Sequence, residues 1–187
     1  MILKGFMVLC EKLKKLKVVL TDVDGVMNDG RIYYLPTSQG VEVAKFFNVK
    51  DGLAIKLLKL ANIKFGIITG RADRVVEKRC KDLGCDFIAM GVGDKEAVVK
   101  TIMQENHLKP EEVCYIGDDW NDVPVFKVVG LSLTVADAPE EIQFLADFVI
   151  PRKGGEGVIR YLVDNILKCK NIYEETVKKF IQKLQEE

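Results

Sequence analysis

Short apolar runs alternate with longer amphipathic stretches along most of the chain. A short run of apolar or β-branched residues bounded by polar residues is typical of a buried strand. A longer stretch with apolar residues three and four positions apart predicts a helix that presents one face to a core. The pattern predicts strands at residues 18–20, 64–69, 87–90, 113–116, 131–135 and 148–150, and helices at 51–62, 72–83, 95–106, 123–129, 139–145, 157–167 and 174–184.

Strands that alternate with helices predict an α/β fold, here a doubly wound, Rossmann-like parallel sheet with helices on both faces. After the first strand, residues 31–34 and 41–47 are predicted to form the two arms of a β-hairpin flap. Asp51 is the expected N-cap of the helix that follows this hairpin. We expect a single domain over residues 1–187, with its core at about 15–167 and a charged helix or tail at 168–187.

Composition narrows the classes of protein that this chain can belong to. Basic and acidic residues number 28 each, which argues against a nucleic-acid binder held mainly by phosphate contacts. No apolar run approaches the roughly 18 residues of a membrane span, and the run at 5–10 is shorter than the apolar region of a signal peptide. Five cysteines without a CxxC pair predict reduced thiols in a cytoplasmic protein.

Two carboxylates follow the first predicted strand directly. Asp22 and Asp24 stand two residues apart, and Gly25 then permits a sharp turn. Acidic side chains at the mouth of a buried strand are costly to desolvate, so they usually serve chemistry or a metal. A calcium loop does not fit, because no acid occupies its fifth position and the glycine comes too early.

Three more predicted strands end in polar motifs. Residues 69–71 (Thr-Gly-Arg) follow the second strand, Lys95 lies shortly after the third, and residues 117–122 (Gly-Asp-Asp-Trp-Asn-Asp) follow the fourth. The carboxyl ends of parallel strands meet at one edge of a sheet, so we expect these residues to line one crevice. Simpler alternatives are that Lys95 is a solvated lysine, that Asp118 is a helix cap and that Arg71 is a surface arginine.

The acidic set suits a hard cation, with Mg²⁺ the natural choice, because no histidine or cysteine cluster accompanies it. One carboxylate can attack phosphorus to form an acyl-phosphate, and a second can move the proton. A lysine, a threonine hydroxyl and backbone N–H groups can offset the charge of the phosphate. Arg71 can bind a substrate carboxylate or phosphate in a bidentate manner. The carboxylates in question are Asp22, Asp24, Asp118, Asp119 and Asp122.

These residues resemble the motifs of the haloacid dehalogenase superfamily of phosphatases, all four of which occur here in the family's order. The resemblance implies that Asp22 is the nucleophile and Asp24 the general acid and base. It also implies that Thr69 and Lys95 bind the phosphoryl group. Gly70 and Arg71, which follow Thr69 directly, are further expected substrate-binding residues.

The same resemblance implies that Mg²⁺ is held by Asp22, the backbone carbonyl of Asp24, and Asp118. Asp119 and Asp122 are then auxiliary ligands of the metal, or side chains that support its ligands.

The spacing of the motifs leaves no room for the cap domain that many members carry. Only 47 residues separate Asp22 from Thr69, and 26 separate Thr69 from Lys95. The segments at 22–34, 47–58, 68–71 and 154–157 are similar to those of capless members that hydrolyse 3-deoxy-D-manno-octulosonate 8-phosphate in lipopolysaccharide precursor synthesis. That resemblance implies a homotetramer in which a neighbour's hairpin and C-terminal segment complete each site.

Other interpretations remain open from the sequence. The substrate could be a nine-carbon, sialic-acid-type 9-phosphate or another small phosphoester, and the chain could be a noncatalytic, receiver-like regulatory module. An acid at position 24 favours turnover over a stable phosphorylated state. Arg152, Lys153 and Arg160 flank the glycines at 154–157 and are either substrate contacts or a solvated basic segment, whereas Trp120 is expected to pack.

Overall fold

One parallel sheet of six strands organises the chain, and two further strands form a separate antiparallel hairpin. The computed structural model describes residues 2–186, with side chains from residue 7 onward. The strands of the sheet are β1 (Val18–Thr21), β4 (Lys64–Thr69), β5 (Phe87–Met90), β6 (Val113–Ile116), β7 (Leu131–Val135) and β8 (Phe148–Ile150), and those of the hairpin are β2 (Tyr33–Thr37) and β3 (Gly40–Ala44).

Helices cover both faces of the sheet, as the sequence predicts. They are α1 (Ile2–Lys15), α2 (Val49–Leu60), α3 (Arg74–Leu83), α4 (Lys95–Glu105), α5 (Val123–Phe126), α6 (Glu140–Leu145), α7 (Val158–Cys169) and α8 (Tyr173–Glu186). One layer packs α7 against α1, α2 and α8, and the other packs α5 against α4 and α6. Among residues 2–186, no helix combines the length and the apolar character needed to cross a membrane.

The strand order places the two most acidic strand ends side by side. The sheet runs β5-β4-β1-β6-β7-β8, so the chain winds from the centre to one edge and then from the centre to the other. The reversal falls between β1 and β6, which pair in parallel with Thr21 opposite Ile116. A ligand site is expected beyond the carboxyl ends of the strands at such a point.

Burial on both faces explains why the sheet strands are continuous apolar runs. Every residue of β1, β6 and β7 is buried, as expected for parallel strands covered by two helical layers. The five later strands of the sheet match their predicted bounds. Between β1 and β4 lie only the hairpin and α2, so the described residues contain no cap domain.

One helix was not predicted, and one local prediction is wrong. Helix α1 lies outside every predicted element, although Leu9 and Leu13 stand four positions apart and pack on the core. Asp51 does not cap α2, because Asn48 does so by accepting a hydrogen bond from the backbone N–H of Lys50.

Asp51 instead reaches across to α7. Its Oδ1 atom accepts the backbone N–H of Arg160 at 2.8 Å, in the first turn of that helix. The first turn of a helix leaves N–H groups without partners, so a carboxylate from a neighbouring helix is as good a partner as a local one.

The expectation of reduced thiols is wrong for one pair of cysteines. A disulfide joins Cys10 of α1 to Cys169 at the end of α7, with Cα atoms 5.4 Å apart. Cys80, Cys85 and Cys114 are free. The bond links two helices that are distant in sequence, so neighbouring positions in the chain give no sign of it.

Candidate active site

The polar strand ends meet at one cleft beyond β1, β4 and β6, as the topology predicts. The cleft has a volume of about 480 Å³ and lies at the point where the strand order reverses. Lys95 lies beneath it, buried at the start of α4. The cleft is lined by Asp22, Asp24, Thr69, Gly70, Arg71, Asp118, Asp119, Trp120 and Asn121.

Lys95 is a buried charge and not a solvated lysine. Its Nζ atom lies 2.7 Å from Oδ1 of Asp122 and 3.1 Å from Oδ1 of Asp22. Burial alone would lower the pKa of Lys95, but the two carboxylates outweigh it and raise that pKa above its ordinary value. The ammonium group therefore stays charged and faces Asp22 from inside the protein.

Asp122 anchors this part of the site and has no lone pair to spare. Its Oδ1 atom accepts hydrogen bonds from Lys95 and from the hydroxyl of Tyr115, the latter at 2.6 Å. Its Oδ2 atom accepts the backbone N–H groups of Asp118 and Asp119 at 3.0 and 3.3 Å. A carboxylate with two donors on each oxygen is saturated, so Asp122 orients its neighbours and is poorly placed to bind a cation directly.

Asp22 and Asp118 carry the free carboxylate oxygens of the cluster. One oxygen from each of Asp22, Asp118 and Asp122 lies within 4.8 Å of the others. Burial and the charge of Asp122 raise the pKa of Asp22 to about 6, and burial and the charge of Asp22 raise the pKa of Asp118 to about 8. No hydrogen bond of good geometry reaches Oδ1 of Asp22. Under-compensated carboxylates at this spacing fit a hard divalent cation such as Mg²⁺.

Gly25 permits the close approach of Asp118. Its φ angle is +94°, and a Cβ atom there would overlap Oδ2 of Asp118. The late glycine segment packs against the same loop, where the backbone N–H of Gly155 donates to the carbonyl of Val26 at 3.0 Å. The predicted motif at 154–157 therefore supports the loop that carries Asp22 and Asp24.

Asp24 sits beside the cluster with both of its oxygens held. Oδ1 accepts from Nδ2 of Asn28 at 2.7 Å, and Oδ2 accepts from Nζ of Lys45 at 2.8 Å. Nε of Arg71 lies 3.7 Å from the same Oδ2 atom. The side chain is thus separate from the cluster formed by Asp22, Asp118 and Asp122.

Thr69 and Arg71 form the wall of the cleft that follows β4. Thr69 is buried, and its hydroxyl oxygen accepts the backbone N–H of Arg71 at 3.3 Å. The Arg71 side chain is largely exposed and also lines a second cleft of about 610 Å³, where the hairpin residues Tyr34 and Val43 face Arg74 of α3. Arg71 therefore lines both clefts.

The remaining acidic and aromatic residues of the loop have local roles. Asp119, rather than Asp118, caps the short helical turn at Trp120–Asp122 by accepting the backbone N–H of Trp120 at 2.7 Å. Trp120 is 59% exposed and lines the cleft, so the expectation that it packs is wrong.

The basic residues near the late glycines divide between two clefts away from Asp22. Arg160 pairs with Asp164 at 2.9 Å, and Arg152 lies over the ring of Tyr161. Lys153 lines a cleft with Asp137 and Glu156. None of the three lines the cleft that contains Asp22.

Three residues that shape the site were not predicted from the sequence: Asn28, Lys45 and Tyr115. Tyr115 is the one residue of its strand that carries a hydroxyl group, among valine, cysteine and isoleucine, which is a weak signal that this hydroxyl has a polar partner. Lys45 carries no such signal, because a lysine at the end of a hairpin is normally solvated.

Comparison with known proteins gives consistent results. A model of the haloacid dehalogenase-like hydrolase family matches residues 88–162. The 3-deoxy-D-manno-octulosonate 8-phosphate phosphatase KdsC of Haemophilus influenzae is 37% identical over 159 residues, which cover 85% of this chain and 87% of the relative. The protein of the same name from Escherichia coli K12 is 37% identical over 164 residues, 88% of this chain and 86% of the relative.

Solved structures agree with these relatives. The crystal structure of the phosphatase of that name from Yersinia pestis has a TM-score of 0.83, 39% identity, and covers 88% of each chain. The Moraxella catarrhalis phosphatase, solved with magnesium, phosphate and KDO, has a TM-score of 0.86 and 32% identity over 92% of this chain and 98% of that one.

The fold and the cleft together define a doubly wound α/β phosphatase of the kind that uses a carboxylate cluster and a divalent cation. With the extent and identity of the matches above, the chain belongs to the haloacid dehalogenase-like hydrolase family.

Proposed function

We propose that this protein is a Mg²⁺-dependent phosphatase that hydrolyses 3-deoxy-D-manno-octulosonate 8-phosphate to the free sugar acid and phosphate, a step of lipopolysaccharide precursor synthesis. The observation that carries the proposal is the placement of Asp22. It lies at the switch point of the sheet with Lys95 3.1 Å away and Asp118 in the same cluster. The relatives named above support the choice of substrate.

Asp22 is the proposed nucleophile. An oxygen of its carboxylate bonds to phosphorus while the bond from phosphorus to the ester oxygen breaks, which gives an aspartyl-phosphate and an alkoxide. Asp24 gives its proton to that alkoxide. It then takes a proton from the water that attacks the aspartyl-phosphate, so that Asp22 is regenerated and phosphate leaves.

Lys95 and Thr69 stabilise the negative charge of the phosphoryl group in this proposal. The Lys95 ammonium, held by Asp122, is aimed at Asp22, where negative charge accumulates as the phosphate approaches. The Thr69 hydroxyl and the backbone N–H groups of the loop at Gly70 are the further donors. Because these groups are already fixed in place, they need little reorganisation when the substrate binds.

Asp22, Asp118 and the backbone carbonyl of Asp24 would hold Mg²⁺. When bound, the cation would act as a Lewis acid that offsets the repulsion between Asp22 and the phosphate dianion. Asp122 would hold the loop of Asp118 in place without joining the coordination, because its oxygens are already saturated.

The second cleft is the proposed seat of the sugar. It shares Arg71 with the first cleft and contains Arg74, so two arginines stand beyond the phosphoryl position. A sugar acid carries a carboxylate that such guanidinium groups bind well. The hairpin wall of this cleft, with Tyr34, offers contact to the sugar ring.

A homotetramer is part of the same proposal. The hairpin exposes Tyr34, Leu35 and Val41, and the segment after it exposes Phe46, which together give an apolar surface larger than scattered single residues would give. A neighbouring copy that covers this surface would also narrow the open cleft. If light scattering at working concentration gives the mass of one chain, the tetramer is contradicted. That result would not bear on the proposed reaction.

We also propose one phosphatase domain over residues 1–187 and a cytoplasmic location. Helix α8 supports the first, since it packs against α2 and α7 rather than standing apart. The three free thiols support the second. The Cys10–Cys169 pair, which is bonded in the structure, would be open to reduction by the thiols of that compartment.

Phosphate release tests the reaction. The wild type should release phosphate from the octulosonate 8-phosphate faster than from a nine-carbon 9-phosphate, and excess EDTA should abolish the release. Asp22→Asn should lose at least about 10³-fold in kcat while keeping the same melting curve. Retained turnover in this variant would overturn the role of Asp22, and a stable phosphoprotein without phosphate release would favour the receiver-like module.

A further inference from the structure

Lys45 is a deeply buried charge that lies outside the cluster of Asp22, Lys95, Asp118 and Asp122. It follows the last residue of β3, and its side chain is 1% exposed. Its Nζ atom lies 2.8 Å from Oδ2 of Asp24 and 3.0 Å from Oδ2 of Asp73. A buried ammonium is strongly unfavourable without such partners, so the two carboxylates explain why it is stable there.

The contacts of Lys45 join three elements. Asp24 belongs to the loop after β1, and Asp73 caps α3 by accepting the backbone N–H of Val75 at 2.8 Å. Lys45 itself ends the hairpin. One side chain therefore sets the distance between the hairpin, the loop of Asp24 and the start of α3.

Asp24 has little rotational freedom as a result. Asn28 holds Oδ1 of its carboxyl group while Lys45 holds Oδ2. Asn28 is itself fixed, because its Oδ1 atom accepts the backbone N–H of Gly30 at 2.8 Å. Removing Lys45 would leave Asp24 held on one side only and would leave Asp73 without its ammonium partner.

We propose that Lys45 is a positioning residue that acts through Asp24, orienting that carboxyl group for proton transfer to the leaving oxygen. The inference rests on the proposed function. The proton that moves is the one on Asp24, which passes to the ester oxygen as its bond to phosphorus breaks.

A comparison of two leaving groups separates this role from a general structural one. An alkoxide leaves slowly without a proton, whereas p-nitrophenolate leaves readily as the anion. A residue that acts through the acid should therefore matter for the sugar phosphate and much less for p-nitrophenyl phosphate. A residue that merely supports the fold should affect both substrates alike.

The test uses Lys45→Met in the full chain with Mg²⁺. We expect kcat/KM for the octulosonate 8-phosphate to fall at least about 30-fold, and kcat/KM for p-nitrophenyl phosphate to fall less than about fivefold. In an Asp24→Asn background, Lys45→Met should cause no further loss with the sugar phosphate beyond about twofold. Lys56→Met, which removes an exposed lysine of α2, is the matched control and should leave both rates unchanged.

Equal losses on the two substrates, or a full additional loss in the Asp24→Asn background, would overturn the positioning role. If Lys45→Met does not fold, Lys45→Arg takes its place, because it keeps the buried charge but changes the geometry at Asp24. The same unequal loss is expected, and an equal loss would again overturn the role. A wild type that releases no phosphate from either substrate would instead defeat the proposed function.

Discussion

At the scale of single residues, the aspartates of the loop after β6 have different roles, although the sequence alone does not distinguish them. Asp122 is wholly buried and accepts four hydrogen bonds, whereas Asp118 has a raised pKa because burial and nearby carboxylates act on it with little compensation. Asp119 satisfies the backbone of the next turn. Asp122 therefore anchors the loop, Asp118 is free to bind a cation, and Asp119 caps the next turn.

Substitution by asparagine should separate the first two roles. In EDTA, Asp122→Asn should lower the free energy of unfolding by about 2 kcal/mol or more, because Lys95 and Tyr115 lose a charged acceptor. Asp118→Asn should not lower it, since the change removes a buried, repelled carboxylate, but should weaken Mg²⁺ binding at least about tenfold. Urea unfolding and calorimetric titration with Mg²⁺ measure the two effects. Equal destabilisation by both variants would contradict this division.

At the scale of elements, helices and loops that are distant in sequence are joined by polar contacts. Asp51 of α2 accepts an N–H group of α7, and Gly155 of the late glycine segment donates to the loop after β1. Oδ2 of Asp51 has no partner, and burial raises the pKa of Asp51 to about 6. The packing of α2 on α7 thus places a poorly compensated carboxylate at their interface.

This raised pKa predicts a pH dependence of stability. In the unfolded chain the pKa of an aspartate is about 3.9, so the folded state holds the Asp51 proton more tightly. The contribution of Asp51 to the free energy of unfolding is therefore most favourable at low pH. It should decline as the pH rises from about 4 to about 6 and stay constant above that range. The total loss should be about 3 kcal/mol.

Asp51→Asn isolates this contribution, because the amide keeps an acceptor for the Arg160 N–H but does not titrate. The difference in unfolding free energy between variant and wild type, measured by urea unfolding at pH 4 and pH 7, should move in favour of the variant as the pH rises. A difference that does not change with pH would show that Asp51 is charged without penalty in the fold.

At the scale of the whole molecule, helix α1 is tied to the end of α7. The disulfide joins α1 to α7, and the ammonium of Lys170 donates to the carbonyl of Lys14 at 2.6 Å. A bond between residues 159 positions apart closes most of the chain into a loop. It restricts the unfolded ensemble far more than the folded one.

Reduction of this bond should lower the free energy of unfolding by about 2–4 kcal/mol. The measurement is urea unfolding of the oxidised wild type with and without dithiothreitol, with Cys169→Ser as the variant that cannot form the bond. Dithiothreitol should leave the stability of Cys169→Ser unchanged, and Cys85→Ser, which removes a free thiol, should respond like the wild type. An oxidised wild type no more stable than Cys169→Ser would show that the bond does not form or does not stabilise.

The sequence by itself determined the sheet and where its chemistry lies. Strands buried on both faces must be apolar throughout, so β4 to β8 stand out at their true bounds, and the polar motifs stand out because they interrupt that pattern. Parallel strands share one carboxyl edge, and this brings together Asp22, Thr69 and Asp118 without any further information.

Only the tertiary structure decided which partner each buried polar group takes. Lys45 contacts Asp24, which is 21 positions away in the sequence. Asp51 contacts α7 at a separation of 109 positions, and Cys10 bonds to Cys169 at a separation of 159. Local propensity describes how a residue affects its own helix or strand. A desolvated charge or thiol is instead stabilised by whichever atoms the packing of distant elements brings within about 3 Å, and no spacing along the chain records that distance.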